Sequence, residues 1–442
     1  MEQRRKNLTQ LFIPICLETL LYMLSGMVDT LMLSSVNDQA VGAVGTANTY
    51  IGIFIIMFSV ISSGMVAVMT QNIGAGRPGG AYQARQLGLM FNAVLGILMS
   101  VILAVFSGGI ILSGVGVADA LMQPAKTYLQ IVGGFCILNA LIPICSSYLR
   151  AFGFSKEPLY ASIIGNVINF CLNAFFLFVL HKGVAGVATA TVISRIINLV
   201  IVVLLGAVLV KAKQHPERES NRAVMGQIIR IGLPSACETA IYNVSMTLVI
   251  RFLNQMDAQG LNVTARSYTM QITNFSYCVG AALAQANAIM TGWHIGAKEY
   301  DACDRGTKKA AVIGVIVAVI LETVFTLCSG WIMQLFSKDP QMVSLVGKLL
   351  AIDIVLEIGR VTNLVYGQAL KTSGDAVFPV VMGACFMILC SVGGTYLFGI
   401  RLGLLAVGAY IGMTGDECVR AVGMYLRWKS GKWKEKGLVK SR

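Results

Sequence analysis

Residues 8–34 read LTQLFIPICLETLLYMLSGMVDTLMLS, a run in which Glu18 and Asp29 are the only charged side chains. A helix that crosses a bilayer needs about 20 mostly apolar residues, and this run exceeds that length. A carboxylate at the centre of such a helix costs at least about 2.5 kcal/mol on insertion scales. The stretch therefore predicts a transmembrane helix whose carboxylates are functional or are held by partners.

The composition extends this prediction to the whole chain. Its 442 residues have a mean hydropathy of +0.73, and 12% of them are charged, against about 25% in a typical soluble domain. Twelve runs are long enough to cross a bilayer, so we predict an all-α integral membrane protein. The predicted spans are 8–34, 45–71, 87–115, 127–149, 158–180, 184–210, 226–253, 264–290, 308–333, 343–369, 377–399 and 402–427.

The placement of the basic residues predicts the topology. The formal net charge is +13, and most of the 34 Lys and Arg lie at the two ends of the chain and after even-numbered spans. Cytoplasmic loops of membrane proteins collect such residues. We therefore expect a multi-pass protein of the plasma (inner) membrane with both termini in the cytoplasm, and no nucleic-acid partner.

The reactive residues argue against an enzyme. The 11 cysteines are scattered without a C-x-x-C pair, and the three histidines are not paired at metal-ligand spacing. An intramembrane enzyme would need a clustered nucleophile or a metal motif such as H-E-x-x-H. We expect no catalytic residues and no organic cofactor.

The second half of the chain repeats the first. PICLETLLY begins at Pro14 and PSACETAIY at Pro234, while NIGAGR (72–77) recurs as HIGAKE (294–299). A third pair, LRAFGFSKEP and LKTSGDAVFP, follows the fourth and tenth spans at nearly the same offset. Each half holds six spans, so both enter the bilayer in the same direction, as parallel repeats related by a pseudo-two-fold axis along the membrane normal.

This duplication predicts the domain organisation. We expect an N-lobe over 1–210, a cytoplasmic linker over 211–225, a C-lobe over 226–427 and a basic cytoplasmic tail over 428–442. Transporters with such repeats bind their substrate between the lobes and rock the lobes to open the site on alternate sides. Transport is therefore the favoured function, on an analogy of fold.

Four motifs in a fixed order carry a family resemblance. They are Asp29 within MVDTLML, GAGR after the second span, NVINFCLNAFF with GVAGVATAT in spans five and six, and TSGDAVFP after span ten. The chain resembles the MATE (multidrug and toxic compound extrusion) family of the multidrug/oligosaccharidyl-lipid/polysaccharide flippase superfamily. The resemblance implies a secondary active antiporter that exports amphipathic, often cationic organic compounds in exchange for inward Na⁺ or H⁺. Its expected partners are small organic substrates and the lipid bilayer, and we expect a monomer.

The resemblance also implies an N-lobe cation site at Asp29, Asn169, Asn173 and Thr191. Oxygen ligands of this kind suit a hard cation such as Na⁺. Asn173 stands where the family often has a second Asp, and an amide coordinates a cation but does not take up a proton at physiological pH. The alternative is an Asp29 that serves only as a hydrogen-bonded structural group.

The C-lobe has its own set of charged residues. Asp353, Glu357 and Arg360 are spaced i, i+4 and i+7, so they share one helix face, and Arg360 is expected to pair with Glu357. Glu238 matches Glu18 of the first repeat, and a symmetric structural role explains both. Together Glu238 and the span-ten residues form either a second ion-coupling site or a static ion network.

Span eight predicts part of the substrate cleft. Its RSYTMQITNFSY stretch mixes aromatic, thioether and amide groups, which suit an adaptable binding wall, although interhelical packing explains any one of them equally well. The candidates are Tyr268, Met270, Gln271, Asn274 and Phe275. The alternative function is a lipid-linked oligosaccharide flippase of the same superfamily, which would need basic groups for pyrophosphate.

Overall fold

The computed structural model describes residues 6–35, 38–107, 112, 119–210, 219–257, 260–334 and 336–439. Residues 211–218 of the predicted linker and 440–442 of the predicted tail lie outside this part. Within it the chain is helical, without a β-strand. Its α-helices are α1 (Leu8–Ser34), α2 (Asp38–Gly74), α3 (Pro78–Phe106), α4 (Asp119–Tyr128), α5 (Ile137–Ala151), α6 (Lys156–Ala174), α7 (Gly183–Leu209), α8 (Asn221–Met256), α9 (Leu261–Gly296), α10 (Tyr300–Leu327), α11 (Ser329–Gln334), α12 (Pro340–Ser373), α13 (Val377–Phe386) and α14 (Leu405–Lys429).

Several spans continue from an α-helix into π-helical turns. These turns follow α4, α6 and α13, and they cover Leu129–Gly133, Phe175–Val179, Met387–Val392 and Thr395–Arg401. A π-turn adds a residue to the helical repeat and shifts the side chains that follow it around the axis. With the π-helical turns included, each half still consists of long helical segments joined by short turns.

The chain divides into two compact units, unit 1 over Met1–Gly232 and unit 2 over Leu233–Arg442. The division falls inside α8, so the first residues of that helix pack with unit 1. A Cβ at Gly232 would lie 1.6 Å from the Val60 carbonyl oxygen of α2. Glycine is therefore required where these two helix backbones meet.

The two units differ in how apolar their helices are. Among the described residues of unit 1, five helices are long and apolar enough to cross a membrane, and the bent pair Leu121–Gly133 and Ile137–Ala151 adds a sixth. Among those of unit 2, only Tyr300–Leu327 and Val377–Arg401 meet the same test. The other long helices of unit 2 carry buried charged and polar side chains, which lowers their hydropathy.

Each unit has its own apolar core. In unit 1 the core contains Leu103, Leu129 and Ala140, all without exposed surface. In unit 2 it contains Leu349 and Leu356, which are also fully buried. The polar groups described below are therefore set into tightly packed helical units.

The repeats share backbone conformations as well as residues. The turn after α2 places Gly76 at φ 72°, and the matching turn after α9 places Lys298 at φ 61°. The turn after α5 has Gly153 at φ 86°, and the one after α12 has Gly374 at φ 101°. These are left-handed conformations that favour glycine, so the predicted duplication is visible in the turns themselves.

A matched ion pair also recurs in the two units. Arg150 Nη2 of α5 lies 2.5 Å from Glu18 Oε2 of α1, and Lys371 Nζ of α12 lies 2.5 Å from Glu238 Oε2 of α8. All four side chains are largely buried. The symmetric structural role expected for the two glutamates thus takes the form of a salt bridge between equivalent helices.

The chain after α14 folds back instead of extending into solvent. A 3₁₀ turn over Lys432–Glu435 places the Trp433 ring 4.1 Å from the Trp428 ring, with the two planes 9° apart. Trp433 Nε1 also donates a hydrogen bond of 2.9 Å to the Trp428 carbonyl oxygen. Both indoles are buried, so the predicted basic tail begins as a packed element.

Asp375, in the turn after α12, holds this tail. Arg427 Nε donates to its Oδ2 at 2.6 Å, and Lys436 Nζ donates to its Oδ1 at 2.8 Å. Burial alone would raise the pKa of Asp375, but the hydrogen bonds from Arg427 and Lys436 hold it below its ordinary value. The turn and the tail are therefore joined through one ionised carboxylate.

Candidate ion and cargo sites

Unit 1 contains a small polar site around Asp29 of α1. Asn173 Nδ2 of α6 donates to Asp29 Oδ1 at 2.6 Å and to Asn169 Oδ1 at 3.2 Å. Asn173 is fully buried, and its Oδ1 accepts no hydrogen bond from the described residues. Asp29, Asn169 and Asn173 therefore form one connected group that offers a single carboxylate and two amides.

Helix α7 carries Thr191 and Arg195. The Thr191 hydroxyl donates to the Val187 carbonyl of its own helix at 2.9 Å, which leaves its oxygen lone pairs available as ligands. Arg195, one turn further along, lies close enough to interact electrostatically with Asp29. The single carboxylate of this site thus has a basic side chain nearby, which the sequence alone did not connect to it.

Unit 2 contains three buried carboxylates that lie close together, which we call the acid triad: Glu322 of α10 with Asp353 and Glu357 of α12. One oxygen from each lies within 4.8 Å of the others, and all three residues are at most 2% exposed. Both oxygens of Glu322, Asp353 Oδ2 and Glu357 Oε2 accept no hydrogen bond from the described residues. The triad therefore has four buried carboxylate oxygens that are not used in hydrogen bonds with the described residues.

One guanidinium serves the acid triad. Arg360 is ion-paired with Glu357, and its Nε lies 3.7 Å from Glu417 Oε1. Ser276 Oγ lies close to Glu322 and is itself buried. An uncompensated buried charge is costly, so three carboxylates that share one guanidinium among the described residues favour the uptake of protons or of a further cation.

In a second ion network, centred on α14, the charged side chains are paired with one another. Arg420 Nε lies 2.8 Å from Asp416 Oδ1, and its Nη2 lies 2.9 Å from Glu417 Oε1. Asn363 donates to Glu417 at 3.0 Å, and Ser391 donates to Asp416 at 2.9 Å. Because each of these charges has a partner, the network is suited to a structural role.

A cavity of about 400 Å³ lies within unit 2, between α8, α9, α12 and α14. Its lining is charged and aromatic. The basic lining residues are Arg266, Arg360, Lys371 and Arg420, the acidic ones are Glu238, Asp353 and Glu417, and the tyrosines are Tyr242, Tyr277 and Tyr410. Through Asp353 the cavity adjoins the acid triad.

The predicted C-lobe residues are divided between two places. Asp353, Glu357 and Arg360 lie together, whereas Glu238 forms its pair with Lys371 instead of joining the triad. Glu238 still lines the same cavity as Asp353 and Arg360. The predicted face of α12 thus belongs to the acid triad and its arginine, and Glu238 belongs to the repeated salt bridge.

The predicted cleft residues of α9 also separate. Met270 and Asn274 line the cavity. Tyr268 packs against Phe336, with ring centroids 5.5 Å apart, and neither Gln271 nor Phe275 is among the residues that line the cavity. Of the five predicted cleft residues, Met270 and Asn274 thus line the cavity, and their role in cargo binding stays a prediction.

Three functional candidates were not assigned a partner from the sequence. Glu322, Arg195 and Arg266 appear there only as charges within apolar runs. Their position inside predicted spans was the available signal, because ionisable residues at membrane depth are rare and commonly functional. Which neighbours they meet depends on helix packing, which spacing along one helix does not give.

The comparisons with known proteins show the family. A MatE family model matches residues 14–175 and 234–397, one match in each repeat. The chain is 34% identical to the "Uncharacterized transporter YisQ" of Bacillus subtilis, over 96% of this chain and 94% of that protein. It is 23% identical to the "Probable multidrug resistance protein NorM" of Thermotoga maritima, over 98% and 94% respectively. The chain therefore belongs to the MATE family of membrane transporters.

A solved structure shows the same fold. The crystal structure of MATE in the bent conformation superposes with a TM-score of 0.85 at 18% identity, covering 96% of this chain and 94% of that chain. The predicted fold class, an all-α membrane protein of twelve spans in two lobes, is confirmed. The protein is thus a multi-pass member of a family of membrane transporters.

Proposed function

We propose that the protein is a secondary active efflux antiporter that exports amphipathic, often cationic organic compounds in exchange for inward Na⁺ or H⁺. It acts by alternating access as a monomer in the plasma (inner) membrane, with both termini in the cytoplasm. Membership of the MATE family and the name of the multidrug resistance relative support this cargo class. The basic residues at both ends of the chain support the orientation.

The acid triad is the observation that carries the proposal. Antiport needs a site whose ion occupancy changes during the cycle, and carboxylates buried at membrane depth commonly form such sites. Glu322, Asp353 and Glu357 share a single guanidinium, so the group is stable only when it holds protons or a cation. Because Asp353 also lines the cavity, ion binding and cargo binding meet at one side chain.

The alternative ion site is the Asp29 group of unit 1, with Na⁺ held by Asp29, Asn169, Asn173 and Thr191. The Asp29 carboxylate is already hydrogen-bonded to Asn173 and has Arg195 nearby. Its need for a further cation is therefore smaller than that of the triad. We place the coupling ion at the acid triad and give Asp29 a supporting role in the transport cycle.

Proteoliposomes test this assignment. Vesicles with trapped DNA are loaded with Na⁺ or with acid and diluted into Na⁺-free neutral medium, and ethidium accumulation is read by fluorescence. We expect accumulation to follow one of the two gradients. The Glu322→Gln variant should reduce it by roughly ten-fold or more, the size expected when a coupling free energy of about 1–3 kcal/mol is lost.

The matched control is Asp301→Asn, which removes an exposed carboxylate at the start of the same helix and should leave accumulation unchanged. If Glu322→Gln accumulates the dye normally while Asp29→Asn does not, the coupling ion belongs to unit 1. If neither gradient drives accumulation by the wild-type protein, the antiport proposal is wrong.

The lipid-linked oligosaccharide flippase is the second candidate. The four basic side chains that line the cavity favour it, since pyrophosphate requires cations, but three of them are already paired with carboxylates. A fluorescent lipid-linked pyrophosphate in the same vesicles separates the two functions. Its translocation without an ion gradient, together with a failure to move ethidium, would favour the flippase.

A further inference from the structure

We propose that Arg266 binds the carboxylate of a zwitterionic organic cargo inside the cavity of unit 2. The proposal deepens the transport function by naming a class of cargo, and it rests on that function only for the direction in which the cargo moves. What it states by itself is that the protein prefers to bind molecules with a carboxylate. Neither the family resemblance nor the sequence motifs assign a role to this arginine.

Within the described part of the chain, Arg266 is a buried cation without an anionic partner. It is 5% exposed, and its one hydrogen-bond contact among the described residues is a weak one from Nη2 to Met246 Sδ at 3.7 Å. Its Nε is buried and has no partner there. A guanidinium cannot lose its proton in a protein, so this charge stays uncompensated until an anion arrives.

The other basic residues of the cavity differ from Arg266 in this respect. In the described part of the chain each has a carboxylate partner: Lys371 with Glu238, Arg420 with Glu417, and Arg360 with Glu357. Among these described groups Arg266 is therefore the lining cation without a carboxylate partner, and Asp353 is the lining carboxylate without an ion pair of its own. A monovalent carboxylate neutralises a single guanidinium, whereas a doubly charged phosphate would leave a negative charge buried.

The face of α9 that begins at Arg266 completes the binding surface. Arg266, Met270, Asn274 and Tyr277 follow one another at spacings of four, four and three residues, which places them on one helix face, and all four line the cavity. Met270 supplies an adaptable apolar contact, and tyrosine rings attract cations. A molecule with a carboxylate at one end and a cationic aromatic body fits this order of groups.

A pair of dyes that differ in one ester tests the proposal. Rhodamine 110 carries a free carboxylate, and rhodamine 123 is its methyl ester, which is cationic. Binding of each dye to the purified protein in detergent at pH 7 is measured by fluorescence anisotropy. We expect wild-type protein to bind rhodamine 110 about ten-fold more tightly than rhodamine 123, the size expected for a hydrogen bond between charged groups.

Variants then assign the difference to Arg266. Arg266→Gln should weaken rhodamine 110 binding by roughly ten-fold and change rhodamine 123 binding little, and Arg266→Lys should keep part of the preference. Arg251→Gln, at an exposed arginine of α8, is the matched control and should keep all of it. Equal losses for both dyes in Arg266→Gln would show a structural role and overturn the proposal.

The wild-type comparison remains decisive even if Arg266→Gln does not fold. Equal affinities of wild-type protein for the two dyes would overturn the proposal without any variant. Binding is measured with no ion gradient, so failure of ion-driven ethidium transport and failure of carboxylate recognition are separate results.

Discussion

The polar site of unit 1 and that of unit 2 have diverged within one duplicated framework. In unit 1 a single carboxylate, Asp29, accepts a hydrogen bond from Asn173, which also donates to Asn169, and has one arginine nearby. In unit 2 three carboxylates share Arg360 beside a charged cavity. The left-handed turn conformations and a buried salt bridge between equivalent helices nevertheless recur in both units. Duplication has thus kept the groups that hold helices together, while the middle of the helices has changed.

The largest expected contrast comes from removing the arginine of each site. Arg360→Met leaves the acid triad and Glu417 with less positive charge, so we expect a loss of about 3–5 kcal/mol in the free energy of unfolding. Arg195→Met should cost about 1 kcal/mol, because Asp29 keeps its hydrogen bond from Asn173. Thermal unfolding in detergent measures both. Equal losses would mean that the two sites are electrostatically alike.

A second carboxylate would make unit 1 resemble unit 2. Asn173→Asp replaces the amide that donates to Asp29 by a second acid, which should destabilise the protein by roughly 1–3 kcal/mol at neutral pH. Acid or Na⁺ should restore the unfolding temperature of this variant more than that of wild-type protein. If neither acid nor Na⁺ raises the unfolding temperature of the variant more than that of wild-type protein, the two carboxylates move apart instead of sharing a cation.

The transport role of Asp29 is expected to be intermediate. Ethidium efflux from energised cells is compared between wild type and Asp29→Asn at matched membrane expression, with Na⁺ present or replaced. Efflux should fall by roughly five-fold while its ion dependence persists, since a coupling of about 1 kcal/mol is lost. Disappearance of the ion dependence would move the coupling site to unit 1.

A smaller effect on stability is expected from a residue that differs between the turns after α5 and α12. Asp375 has Phe154 at the matching position of unit 1, so only unit 2 has an acid-sensitive turn. Because the folded pKa of Asp375 lies below its ordinary value of 3.8, its stabilisation is complete above that value and is lost as the pH falls through the folded pKa. Asp375→Asn should lower stability at pH 7 by about 1 kcal/mol and flatten the acid limb of a stability-against-pH curve. An unchanged acid limb would contradict this role.

The smallest predicted effect concerns the turns after α2 and α9. Lys298 adopts φ 61° where unit 1 has Gly76 at φ 72°. Lys298→Gly removes left-handed strain but adds freedom to the unfolded chain, so stability should rise by no more than about 1 kcal/mol. Gly76→Lys in the other unit should lower it, by about 1–2 kcal/mol. Parallel denaturation measurements on the two variants show whether the free energy of unfolding rises in the first and falls in the second.

The sequence allowed prediction of what depends on one helix at a time. Asp353, Glu357 and Arg360 share a face because of their spacing, and the Arg360–Glu357 pair lies within that face. The grouping of Asp29 with Asn169 and Asn173 followed from the resemblance and from an i, i+4 spacing. Runs of apolar residues fixed the approximate spans, because a bilayer demands them.

What the sequence could not give is contact between helices distant in the chain. Glu322 joins Asp353 and Glu357 only because α10 packs on α12 with a particular rotation. A span that is apolar on all sides has no polar face in its sequence from which that rotation could be read. The same limit applies to Arg266 and to the hydroxyl of Thr191, whose local bond to Val187 competes with any bond to a neighbouring helix.

The stacked indoles of Trp428 and Trp433 turn the end of the chain into an optical probe. Two nearly parallel rings at van der Waals distance couple electronically, so their near-ultraviolet circular dichroism differs from that of separated tryptophans. Any event that lifts the 3₁₀ turn away from α14 would change this signal without a chemical label. The state of the turn after α12 could thus be followed by light in the unmodified protein.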